Sequence, residues 1–128
     1  GNPVFLYYED RFERPVPFRP DVVVSIDSVI EAKLDAMDAL ESQFFEGGCG
    51  GSADLVPDDE AGRRARRKEV RDRFRSRFAA TATRFRGRLV DLYGKEKGEA
   101  IRYAEAFQVC EYGRRPSEAE LREMFPAP

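Results

Sequence analysis

The sequence predicts a mixed α/β chain, fragment-like in size, with two short strands packed against helices. Three observations predict it. Two short apolar runs, at 4–8 and 21–26, are rich in β-branched and aromatic residues. Longer stretches repeat apolar residues every three or four positions, the period of a helix with one buried face. A length of 128 residues is that of one domain with a modest core.

The first strand is Val4-Phe5-Leu6-Tyr7-Tyr8. The connection that follows carries Pro15, Pro17 and Pro20. Proline at such spacing removes ladder donors, so this stretch is extended but outside any sheet interior. It is long enough to let the two strands run parallel. Val22-Val23-Val24-Ser25-Ile26 reads as a strand buried on both faces. Two strands alone make a marginal sheet, so the pair is expected to oligomerise or to belong to a larger sheet.

A helix over about 28–46 is expected from Ile30, Leu34, Met37, Leu40 and Phe44. Ser28 and Glu31 have the spacing of a capping box, and Gly47 suits a left-handed C-terminal cap. Glu41 falls on the apolar face and calls for an arginine partner. The glycine-rich stretch 47–62 is a loop. Its Val56-Pro57-Asp58-Asp59-Glu60 is read as the acidic start of a helix. The longest helix, about 60–93, has Val70, Phe74, Phe78, Phe85, Leu89 and Leu92 on one face, with Gly87 as its weak point and Gly94 at its end. A further helix, about 96–110, places Ala100, Ile101, Ala104 and Phe107 together. Ser117 and Glu120 form a second capping box, for a short helix over 117–124 that stops at Pro126.

Composition excludes several classes of chemistry. There is no histidine, so no Ser-His-Asp or Cys-His pairing and no imidazole zinc ligand. No apolar run reaches the length of a membrane span. Cys49 and Cys110 lie far apart without a C-x-x-C, which suits a reduced, cytoplasmic setting; a bridge between them is the alternative. The net charge is -2, but residues 61–90 hold twelve Arg or Lys against two acids. The cluster Arg63, Arg64, Arg66, Arg67 and Lys68 is a candidate anion-binding face, for nucleic acid or an anionic substrate. The favoured reading is a face that pairs with Glu31, Asp35 and Asp38.

Asp21-Val22-Val23-Val24-Ser25-Ile26-Asp27, then Lys33, Ser42-Gln43 and Tyr103-Ala104-Glu105-Ala106-Phe107, resemble the C-terminal part of the PIG-L/LmbE family. The resemblance spans roughly residues 4–110 as short motifs. It implies a zinc-dependent N-deacetylase of N-acetylglucosamine-type substrates, with 1–128 as the C-terminal segment of a larger Rossmann-like domain. It places Ser42, Gln43 and Glu105 on the substrate side. Ser25 stands where members usually have Asp, and Leu40 where many have His. The family's A-H-P-D-D-E motif and its other zinc ligands belong upstream. Val56-Pro57-Asp58-Asp59-Glu60 is no substitute, because Val56 replaces the histidine. The resemblance therefore implies no catalytic residue and no metal site in these 128 residues. Zinc and a sugar-like substrate would come with the complete protein, and an N-terminal catalytic segment or a second copy would be the partner. A basic helical nucleic-acid-binding module, less favoured, and a non-catalytic homo-oligomerising protein are the alternatives, and no membrane is expected.

Overall fold

The computed structural model describes residues 1–11 and 13–126. The chain has two compact units, Gly1–Asp27 with Ala79–Pro128, and Ser28–Phe78. The mixed α/β class is observed.

The first unit is built on a three-stranded antiparallel sheet. Its strands are β1 (Val4–Tyr8), β2 (Val22–Ser25) and β3 (Ala104–Gly113), in the order β1-β3-β2. β1 and β2 therefore run parallel without touching, and β3 lies antiparallel between them. The third strand is where a helix over 96–110 is expected. That helix ends after α5 (Lys95–Ala100). From Ala104 onward the burial alternates instead: Ala104, Ala106 and Cys110 are buried, while Glu105, Phe107 and Val109 are half-exposed. Alanine is small enough to satisfy either period. The unmet backbone groups of two flanking strands decide for the extended form.

One sheet face is closed by α4 (Arg86–Tyr93) and the residues before it. Phe18, Val23, Ala82, Leu89, Ile101, Ala104 and Ala106 form the core, with Phe85 and Tyr93 against it. Leu89 is fully buried, which contributes about 1.5–3 kcal/mol. Gly98 of α5 lies against the Val90 backbone; a Cβ there would sit 2.6 Å from the Val90 Cα. Arg86 Nη1 donates to the carbonyls of Gly98 (2.6 Å) and Ile101 (2.7 Å) at the end of α5. Those carbonyls would otherwise be orphaned by the helix terminus. At the C-terminal end, α6 (Glu118–Met124) has the expected capping box of Ser117 and Glu120.

The second unit holds α1 (Ile30–Asp38), α2 (Glu41–Phe44) and α3 (Glu60–Arg84) up to Phe78. Ile30, Leu34, Met37, Phe45, Val70 and Phe78 are its buried apolar residues. Phe44 meets Phe74 edge-on, with centroids 5.2 Å apart. The expected helix over 28–46 is broken at Ala39–Leu40. Ser28 does not cap it: Val29 holds the N-cap position without a side-chain bond. The break turns Leu40 and Glu41 to solvent, so Glu41 is not a buried carboxylate. Gly47 has the expected left-handed conformation, φ 89°. Asp59 accepts the Gly62 N–H at 2.8 Å, which caps the start of α3. The long helix expected over 60–93 is likewise two, interrupted at Phe85 (φ -109°, ψ 28°), two residues before Gly87.

Candidate functional site

The residues that carry the family resemblance in the first unit meet at the junction of β2 and β3. The register pairs Val22 with Phe107, Val23 with Ala106, Val24 with Glu105 and Ser25 with Ala104. Two segments far apart in sequence thus become neighbouring strands. The two aspartates that bracket β2 close both ends of this junction. Asp27 accepts the backbone N–H of Tyr103 at 2.6 Å and that of Arg102 at 3.0 Å. Asp21 accepts the N–H of Val109 at 2.6 Å.

Further contacts hold β2 in place. The Tyr93 hydroxyl accepts the Ser25 N–H at 3.0 Å, and Arg88 Nη2 donates to the Asp21 carbonyl at 2.7 Å. Asp21, Asp27, Tyr93 and Arg88 are the residues that a motif reading undervalues. Their role is to satisfy backbone groups, and no spacing in the sequence signals it.

Of the residues that the resemblance would place on the substrate side, Glu105 lies in β3, half-buried. Ser42 and Gln43 lie exposed on α2 in the second unit. On β1 and β3, the Tyr7 hydroxyl donates to Glu111 at 3.0 Å. Hydrogen bonding to Cys110 first, and then to Glu111, pushes the Tyr7 phenol above its usual range. The Glu111 carboxyl is held low by its own backbone N–H first and by Tyr7 second.

The five anion-binding candidates all have partners within their own unit. Arg63 donates to the Pro57 carbonyl at 3.0 Å, and Arg64 pairs with Glu60. Arg66 donates to the Phe45 carbonyl at 2.9 Å and to Glu69 at 2.9 Å. Arg67 lies 3.7 Å from Asp38, and Lys68 is 2.5 Å from Asp72. The centre of the charge network is Arg71, which was not among those candidates. It meets Asp38 at 2.6 Å, Asp35 at 2.8 Å and Glu31 at 3.0 Å. Arg75 also reaches Glu31, at 2.6 Å. Glu31 is held low mainly by Arg75, and Asp72 mainly by Lys68. The acids at 31, 35 and 38 share one helix face, which was the signal for this network.

The residues present do not fit a zinc ion. There is no histidine, and among the described residues no group of three or more Cys, Asp or Glu is placed to hold a metal. Both cysteines are free, Cys49 exposed and Cys110 buried. Among the described residues, no helix is long and apolar enough to cross a membrane. No protein-family model matches the chain, and no curated protein or solved structure matches it significantly.

Proposed function

We propose that the chain is the C-terminal portion of a PIG-L/LmbE-type metal-dependent N-deacetylase, an amide hydrolase of N-acetylglucosamine-type substrates. It contributes strands and helices that wall the substrate pocket, and it is inactive without an N-terminal segment bearing A-H-P-D-D-E. The observation that carries this reading is the β2–β3 register. Asp21–Asp27 and Tyr103–Phe107, the two motif segments of the first unit, pair residue for residue and are clasped by Asp27 and Asp21. A reduced, cytoplasmic setting belongs to the same proposal and rests on the two free thiols.

No hydrolytic step is assigned to these residues. Amide hydrolysis at a metal needs protein ligands and an open position for water, and these must come from elsewhere. Ser42, Gln43 and Glu105 are substrate-side residues in this proposal. The internal partners of Arg66, Arg71 and Arg75 speak against the nucleic-acid alternative, since phosphate would have to displace short carboxylate contacts.

The test is reconstitution. The 128-residue chain alone is expected to release no acetate from N-acetylglucosamine derivatives. Coexpression with an N-terminal segment carrying A-H-P-D-D-E, supplied with zinc, is expected to restore release. Failure of every such segment that binds the chain would overturn the proposal.

A further inference from the structure

A cavity of about 110 Å³ opens in the first unit where the start of β2, α4 and α6 come together. Its apolar lining comes from Val22, Val23, Leu92, Leu121 and Phe125 with the Tyr93 ring, and its charged lining from Arg88, Arg122, Asp21 and Glu118. The polar groups are incompletely matched. Arg88 spends Nε and Nη2 on the Asp21 carbonyl. It meets Glu118 only at 3.7 Å, longer than a hydrogen bond. Arg122 is exposed and makes no hydrogen bond or ion pair among the described residues. The Glu118 side chain is 74% exposed and free to swing away.

We infer that this cavity binds a short branched aliphatic monocarboxylate, its apolar body against Leu92, Leu121 and Phe125 and its carboxylate between Arg88 and Arg122. An apolar cavity of about 150 Å³ takes a benzene ring, so this one suits a body of about four carbons. The combination of an apolar lining with a few convergent polar groups is that of a small-ligand site. The Asp21 carboxylate is engaged by the Val109 N–H at 2.6 Å and Glu118 is largely exposed, so the two guanidinium groups set the charge of the ligand: a carboxylate meets an arginine with charge-assisted geometry. Glu118 is the resident competitor for Arg88, so a ligand carboxylate displaces it. The inference is independent of the deacetylase proposal.

The probe is 3-methylbutanoate, titrated at pH 7 into the ¹⁵N-labelled chain and followed by its amide resonances. Saturable shifts are expected at Val23, Arg88 and Leu121. The neutral 3-methylbutanamide is expected to bind about tenfold more weakly, for loss of the charge-assisted contacts. Arg122→Gln, at an exposed position that leaves the fold intact, is expected to weaken the acid about tenfold. Glu118→Gln removes the competitor and is expected to tighten it about threefold. Absence of saturable shifts at these amides, equal binding of the amide, or unchanged affinity in either variant overturns the inference.

Discussion

The Asp27 carboxylate accepts the backbone N–H of Tyr103 at 2.6 Å and so ties the end of β2 to the entry of β3. The same carboxylate takes the Arg102 N–H. One side chain therefore satisfies two donors at the point where α5 has ended and the ladder has not begun. Ile26 adds a backbone bond to the Tyr103 carbonyl at 3.0 Å.

Asp27→Ala is expected to destabilise the chain by about 2 kcal/mol, because a charged acceptor is removed and two backbone donors lose it. Asp27→Asn, which keeps one acceptor oxygen, is expected to recover about half of that. Urea unfolding followed by far-UV circular dichroism measures both. Equal midpoints for Asp27→Ala and the parent would show that water replaces the carboxylate at no cost.

Arg71→Gln is expected to cost about 1–3 kcal/mol. The Arg71 side chain is only 17% exposed, and its loss removes the Asp35 contact and leaves Glu31 to Arg75 and Asp38 to the more distant Arg67. Arg73→Gln is the control: Arg73 is exposed and lies over the Phe74 ring, with no ion pair among the described residues. Its effect is expected within about 0.5 kcal/mol. Thermal unfolding of the pair separates a charge hub from a merely basic surface.

Acid is expected to destabilise the fold in a defined window. Glu31, Asp72 and Glu120 are all held below their usual range when folded, by Arg75, Lys68 and the Ser117 N–H respectively. The unfolded chain therefore binds these protons more tightly. The stabilisation is complete above the ordinary glutamate value near 4.5 and drains away as pH falls through the lower folded values. The unfolding midpoint should stay level from about pH 7 to 5 and fall below that. Glu31→Gln should flatten part of the fall. Glu31 is 62% exposed, so added salt should shrink its share.

Gly98→Ala tests the packing of α5 on α4. The new methyl would meet backbone, 2.6 Å from the Val90 Cα and 2.7 Å from its nitrogen, so no side chain can swing aside. A loss of about 2 kcal/mol or more is expected from the forced backbone shift. Gly87→Ala is the contrast. Its Cβ meets nothing within 4 Å, and alanine favours helix by about 1 kcal/mol. A stabilised Gly98→Ala protein would mean that α5 is free to move.

Ser42→Ala and Gln43→Ala are expected to leave stability within about 0.5 kcal/mol, because both side chains are exposed. In a reconstituted enzyme their effect on deacetylation would then report on substrate and not on folding. Unchanged turnover in both variants would remove them from the substrate side.

Legibility followed how local the cause was. Val4–Tyr8 and the run at 22–25 were readable as strands because aromatic and β-branched residues suit an extended backbone wherever it pairs. The Ser117 capping box formed as spaced, since both of its bonds lie within one turn. Ser28 and Glu31 have the same spacing and no box, and Glu31 turns instead to Arg71 and Arg75. A remote ion pair outbid a local bond there. The pairing of the acids on α1 with the basic helix was legible from charge balance. That Arg71 is its centre was not, because every arginine on that face looks alike until a neighbour is placed beside it.

Apolar period, caps and breakers were enough to name the mixed fold class and most of the helices. The absence of histidine was enough to deny the chain an imidazole-bound metal. The nature of residues 104–113 lay beyond such reasoning. Their alternation is compatible with two periods, and their local preferences differ by less than the value of a few backbone hydrogen bonds. The choice fell to β1 and β2, each with an unpaired edge that only a strand could fill.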